Sequence, residues 1–145
     1  MALPAAQPES YKKTQVESAS PEALILMLYD GALRFMSQAE EAFAEKNLER
    51  IHNLLIRVQA IFSELLATLD KDRGGEIAKN LERLYVFFLE KLSDSNIRKD
   101  PEPMNQIRPL VENLRQTWAE AMKISARNSG VTSPAPAQVR LNLSA

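Results

Sequence analysis

Between Leu24 and Met36 the chain places ten apolar side chains in thirteen positions, with Gly31 set among them. A surface helix needs apolar residues at only about half of its positions, so this stretch carries a surplus. Helix start signals stand directly before it. Ser20 can cap free backbone N–H groups, Pro21 suits the first helical position and Glu22 complements the positive end of the dipole, which predicts a helix over Pro21 to Glu45. Asn47 is the next cap, and Ile51, Leu54, Leu55, Val58, Phe62, Leu65, Leu66 and Leu69 recur at spacings of three and four, marking a second helix. The run DKDRGGE reads as a turn through Gly74 and Gly75, after which Ile77, Leu81, Leu84, Tyr85, Phe88 and Leu92 define the inward stripe of a third helix.

Asp100-Pro101 repeats the cap-then-proline signal, and Ile107, Leu110, Val111, Leu114, Trp118, Ala121 and Met122 give a fourth stripe. Pro103 and Pro109 disturb its start. Pro109 lacks an N–H and costs about 3 kcal/mol inside a regular helix, so a kink over Gln106 to Pro109, or a fresh helix start there, is expected. Past Ile124 the chain turns small, polar and proline-bearing, and its only strand-like pattern is Val139-x-Leu141-x-Leu143. These elements predict an all-α, antiparallel up-and-down four-helix bundle over residues 20–124, with a flexible N-terminal arm over 1–19 and a disordered tail over 125–145. A three-helix core with a detached fourth segment is the lesser alternative.

On a helical wheel of the first helix, Leu24, Leu28, Gly31, Phe35, Ala39 and Ala42 fall within roughly 80° and suffice as a core stripe. Ile25, Tyr29, Met36 and Phe43 form a second stripe, extended by Ala32, Leu33 and Leu26, so that the apolar arc spans roughly 220°. Two accounts of this surplus stand. Either the helix is central and packs against three neighbours or a second subunit, or the second stripe lines a groove for a partner segment. Ile56 and Ile61 leave the second helix's stripe, and Val86, Phe87 and Leu89 leave that of the third. The off-core set Ile25, Tyr29, Leu33, Met36, Ile56, Ile61, Val86 and Leu89 is the candidate groove. On this division Ile25→Asp and Tyr29→Asp should weaken partner binding more than they reduce helicity, whereas Leu28→Asp should unfold the bundle.

Composition removes most chemistry. The 145 residues include no cysteine, which excludes disulfides, thiolate nucleophiles and cysteine-held metals, and the formal net charge of −1 offers no field for nucleic acid or anionic membrane. The start of the chain has no basic, apolar-cored leader and no stretch near the roughly 20 apolar residues that cross a bilayer, so a cytoplasmic chain with no membrane insertion is expected. His52 follows Glu49 at the spacing of half a di-metal motif, but it is the only histidine. Asp70, Asp72 and Gly75 imitate the opening of a calcium loop, whose fifth and twelfth positions are here Gly74 and Leu81, without oxygen ligands. No serine has a credible base nearby in sequence, so neither an enzyme nor a cofactor is expected. Lys12-Lys13 is too small a basic patch for nucleic acid.

In order along the chain, Tyr11-Lys-Lys-Thr-Gln-Val16, SPEALILMLYDGALRFM, LLIRVQAIFSELLATLD, GGEIAKNLERLY and Leu114-Arg-x-x-Trp118 together resemble the FliS family of flagellar export chaperones over about Tyr11 to Lys123. The resemblance implies a cytosolic bundle that binds the disordered C-terminal segment of flagellin, prevents premature polymerisation and presents its client to the export gate protein FlhA. It also implies an N-terminal arm that can occupy part of the client surface, with a gate contact at Tyr11 supported by Val16. A homodimer of the free protein, with no secretion client, is the alternative of a different class.

Overall fold

The computed structural model describes residues 19–129, and all four expected helices are present: α1 (Pro21–Glu45), α2 (Leu48–Ala67), α3 (Lys71–Arg98) and α4 (Glu102–Ser129). Each packs on the two that flank it, in the ring order α1, α2, α3, α4, so the chain is an up-and-down four-helix bundle. Tyr11, Val16 and most of the tail lie outside the described residues, and α4 runs past the expected end at Ile124 to Ser129.

The helix starts follow local chemistry. Ser20 Oγ accepts from Ala23 N at 3.2 Å, and Asn47 Oδ1 accepts from Arg50 N at 3.1 Å, each satisfying a donor that has no intrahelical partner. The DKDRGGE run differs from the expected turn. Asp70 caps a first turn of helix through Arg73 N at 3.1 Å, and the break falls at Gly75 alone, whose φ of 58° and ψ of −135° suit a residue without Cβ. Asp70, the first residue of the calcium-like pattern, thus serves as a cap.

The fourth helix passes through Pro109 as one element, without the fresh start that was one of the two expectations. Its first turn is satisfied from outside, because Asp100 Oδ1 accepts from Glu102 N at 2.9 Å and buried Ser95 Oγ accepts from Met104 N at 2.8 Å. Between those donors Pro103 has no N–H to satisfy, so it costs nothing there. Pro109 itself is exposed, on the side away from the core. Fully buried Met104, Ile107 and Val111, together with the ion pair from Arg108 to Glu40, hold the helix before and after it, offsetting the lost hydrogen bond.

The core is continuous across the bundle. Phe62 of α2 meets Phe88 of α3 edge-on with ring centroids 5.1 Å apart, and Trp118 of α4 is fully buried with its Nε1 donating to the Glu22 carbonyl at 2.7 Å. Across the diagonal the hydroxyls of Tyr29 on α1 and Tyr85 on α3 bond to each other at 2.5 Å, both rings buried. Burial, with the neighbouring Tyr85, raises the Tyr29 pKa above the usual tyrosine range, and burial pushes Tyr85 up to about 12.

A pair of this kind is costly to halve. Tyr29→Phe alone should cost about 1–3 kcal/mol in urea unfolding followed by circular dichroism, because Tyr85 then keeps a buried hydroxyl without a partner. Adding Tyr85→Phe should recover most of that loss; additive losses would show the bond to be incidental. Raised folded-state values mean that the pair's contribution is complete below the unfolded tyrosine pKa of about 10 and fades as pH rises towards about 12. The double variant should therefore resist alkaline unfolding better than the parent.

Candidate functional site: the uncovered seams of the bundle

A ring of four helices has four outer seams, and polar chemistry closes one of them. Between α1 and α4, Arg115 Nε donates to Asp30 at 2.7 Å, Arg108 Nη1 donates to Glu40 at 3.0 Å and its Nη2 to Ser37 Oγ. Arg108 is partly shielded while Glu40 is exposed, so the pair is worth about as much as a surface ion pair, about 0–1 kcal/mol. Leu33 sits half-buried on this side of α1, in the turn between Asp30 and Ser37.

The seam between α1 and α2 is floored by apolar groups. Gly31 lies under Ile61, whose Cδ1 would stand 3.4 Å from a Cβ placed on the glycine, so the missing side chain lets α2 approach. Phe35, half-buried, carries the Arg34 guanidinium 5.2 Å and the Arg57 guanidinium 5.5 Å from its ring centroid. Leu28 and Leu24 continue the row about two and three turns from Phe35. This floor is apolar and its rim is cationic.

The α2–α3 seam is tied at one end, where His52 Nδ1 and Asn96 Nδ2 bond at 3.0 Å. One turn along α2 from His52 comes Ile56, 45 % exposed. On α3 a shallow cavity of about 470 Å³ runs along Val86, Leu89, Glu90, Ser93, Asp94 and Ile97. Ile97 is 79 % exposed, which for a large aliphatic on an ordered helix is unusual. This face is apolar, with Glu90 along its edge and Asp94 paired with Arg98 at 3.0 Å. On the α3–α4 side Ile77, Phe87, Leu110 and Ile124 are exposed as well, with half-buried Leu84 and Leu114 among them.

The expected groove is therefore only partly a surface. Tyr29 and Met36 have no exposed area and Ile25 has 8 %, so these three belong to the core and cannot meet a partner in this conformation. The two-stripe division of α1 was inverted: Ile25, Tyr29, Ala32, Met36 and Ala39 face inward, while Leu24, Leu28 and Phe35 lie on a half-exposed flank. The physical reason is the width of the arc. Its middle points at the bundle axis and its edges rest against α2 and α4, so α1 is the central, many-sided helix of the first account. Taking the mean direction of the arc, instead of the stripe at one edge, would have found the core. Of the remaining candidates, Ile56 and Val86 are exposed, Leu89 is half-buried beside them, and Ile61 is half-buried on the other flank of α2. Phe87, expected to leave the core stripe of the third helix, is exposed, whereas Phe35, Ile97 and Leu110 were missed as surface positions, Phe35 and Leu110 having been placed in predicted core stripes.

Glu49 and His52 are exposed and no group of three or more metal-ligating side chains gathers among the described residues. Also among these residues, no helix is long and apolar enough to cross a membrane. Met36→Asp and Tyr29→Asp should abolish cooperative unfolding, whereas Ile56→Asp and Val86→Asp should keep the parent's helicity and shift its melting temperature by only a few degrees. Equal collapse in all four would refute this assignment of inside and outside.

Residues 4–125 match the family model described as flagellar protein FliS. The flagellar secretion chaperone FliS of Campylobacter jejuni is 35 % identical over 77 % of this chain and 87 % of its own length. Those of Salmonella typhimurium and Bacillus subtilis are 32 % and 31 % identical, over 77 % and 79 % of this chain and 87 % and 84 % of their own lengths. The chain therefore belongs to the FliS family of flagellar secretion chaperones, which are not enzymes.

Proposed function

We propose that this chain is a cytosolic export chaperone whose client is the disordered C-terminal segment of flagellin, held until it is passed to the export gate protein FlhA. The observation that supports the reading is the unequal closure of the seams: ion pairs seal α1–α4, while both flanks of α2 and the outer face of α3 keep apolar side chains in water. A long client can cross several seams, laying short apolar pieces into each. Every large side chain it buries fully is worth about 1.5–3 kcal/mol. Ordering a previously disordered segment cancels part of that gain, which keeps release feasible at the gate. Covering the client also removes from solution the surface it would use to polymerise. Tyr11 and Val16, in the arm ahead of α1, are the proposed gate contact.

The test is titration of the purified chain with a peptide of the flagellin C-terminal segment. One-to-one binding is expected, with Ile56→Asp and Leu89→Asp each weakening it about tenfold or more at unchanged helicity. Undiminished binding by both variants, or equal affinity for the N-terminal half of flagellin, would reject the reading. A dimer that persists on dilution and never exchanges for the peptide would assign the seams to a second copy instead.

A further inference from the structure

The seam between α1 and α2 is open along only part of its length. From half-buried Leu24 through Leu28 and Gly31 to Phe35 its floor is apolar, with Ile61 supplying the α2 side. Past Phe35 the seam is closed, because Arg50 of α2 pairs with Glu41 of α1 at 3.7 Å and with Glu45 at 3.3 Å. The floor is therefore a trench that stops part-way along the bundle.

Two guanidinium groups stand at that stop. Arg34 Nη2 would lie 3.9 Å from a Cβ placed on Gly31, and the same guanidinium is 5.2 Å from the Phe35 ring centroid. Arg57 reaches that ring from α2, at 5.5 Å. Among the described residues neither forms an ion pair, whereas Arg50, Arg108 and Arg115, which tie α1 to its neighbours, each hold a carboxylate. The ring attracts both cations but offers their N–H groups no acceptor, and two like charges brought to one ring repel each other. What this end of the trench lacks is a carboxylate, the planar acceptor that a guanidinium binds best. The other end has the opposite charge, since exposed Glu64 follows Ile61 by three residues on the same flank of α2, near the level of Leu28.

An apolar run that ends in one anion fits this trench. Any C-terminal segment carries such an anion in its own α-carboxylate, whatever its sequence. Leu24 and Phe35 are eleven residues apart, about 16 Å at helical rise, which three turns of a client helix or its last five residues in extended form would span. A client helix laid parallel to α1 also brings the negative end of its dipole to the two arginines.

We propose that the client's C-terminal carboxylate seats against Arg34 and Arg57 over Phe35, with the apolar residues before it on Leu28, Gly31 and Ile61. The seat rests on the client reading above and adds a fixed end and direction to it. The reverse placement would set the carboxylate beside Glu64 and leave both arginines without an acceptor.

The test uses the full-length chain and two versions of one flagellin C-terminal peptide, the first ending in the free acid and the second in the amide. Amidation should weaken binding about tenfold, the loss expected when a charge-assisted pair is removed. Arg34→Gln with Arg57→Gln changes two exposed positions, so it should keep the parent's helicity, weaken the free acid about tenfold and leave the amide's affinity unchanged. Equal affinity of acid and amide for the parent would overturn the seat. So would an equal loss for both peptides in the double variant, which would give the arginines to an acidic side chain of the client. If neither peptide binds the parent, the client reading itself falls, and the seat with it.

Discussion

A helix that is apolar over roughly 220° of its circumference has to be surrounded, and that requirement on α1 sets the rest of this bundle. Its inward residues, Tyr29, Ala32, Met36 and Ala39, reach the centre, where the Tyr29 hydroxyl meets that of Tyr85 on the opposite helix. Its flanks rest on α2 through Gly31 and Ile61 and on α4 through Asp30 and Arg115. The Tyr29–Tyr85 bond joins the diagonal helices α1 and α3 across the apolar centre, so it pins the height of α1 against α3 where packing alone would allow sliding. Once α1 is fixed, α2 and α4 have one place each beside it.

Function follows from what this arrangement leaves uncovered. The α1–α4 seam is closed by charge-assisted hydrogen bonds, and a closed seam gives the bundle a rigid back. The flanks of α2 are open, with Arg34 and Arg57 around Phe35 on one side and Val86, Leu89 and Ile97 of α3 on the other. A chaperone that releases its client gains from such division, since no single contact has to be strong.

Much of the fold could be read from residues: Ser20-Pro21-Glu22 and Asn47 cap their helices as their types dictate, and the stripes of the second and third helices are core almost throughout. Two features resisted. Pro109 looked disruptive because its cost is local, whereas the anchors that offset it, Glu40 and Ser37, come from a helix some seventy positions away. The phase of α1 resisted for a different reason. A narrow stripe points at its core unambiguously, but an arc this wide contains several equally good stripes, and only its neighbours decide which is innermost. Membership of the family was legible because it rests on ordered motifs, which a misphased wheel leaves untouched.

The isoleucines sample every part of this account, since Ile25, Ile51 and Ile107 are buried, Ile61 lies on one flank of α2, Ile56 on the other, and Ile97 on the outer face of α3. The most direct measurement is therefore a titration of isoleucine-methyl NMR signals with the flagellin C-terminal peptide. Signals of Ile56, Ile61 and Ile97 should move and saturate together while those of Ile25, Ile51 and Ile107 stay in place. Shifts confined to the buried three, or a bound state that leaves Ile56, Ile61 and Ile97 unmoved, would contradict the assignment of the open seams to the client.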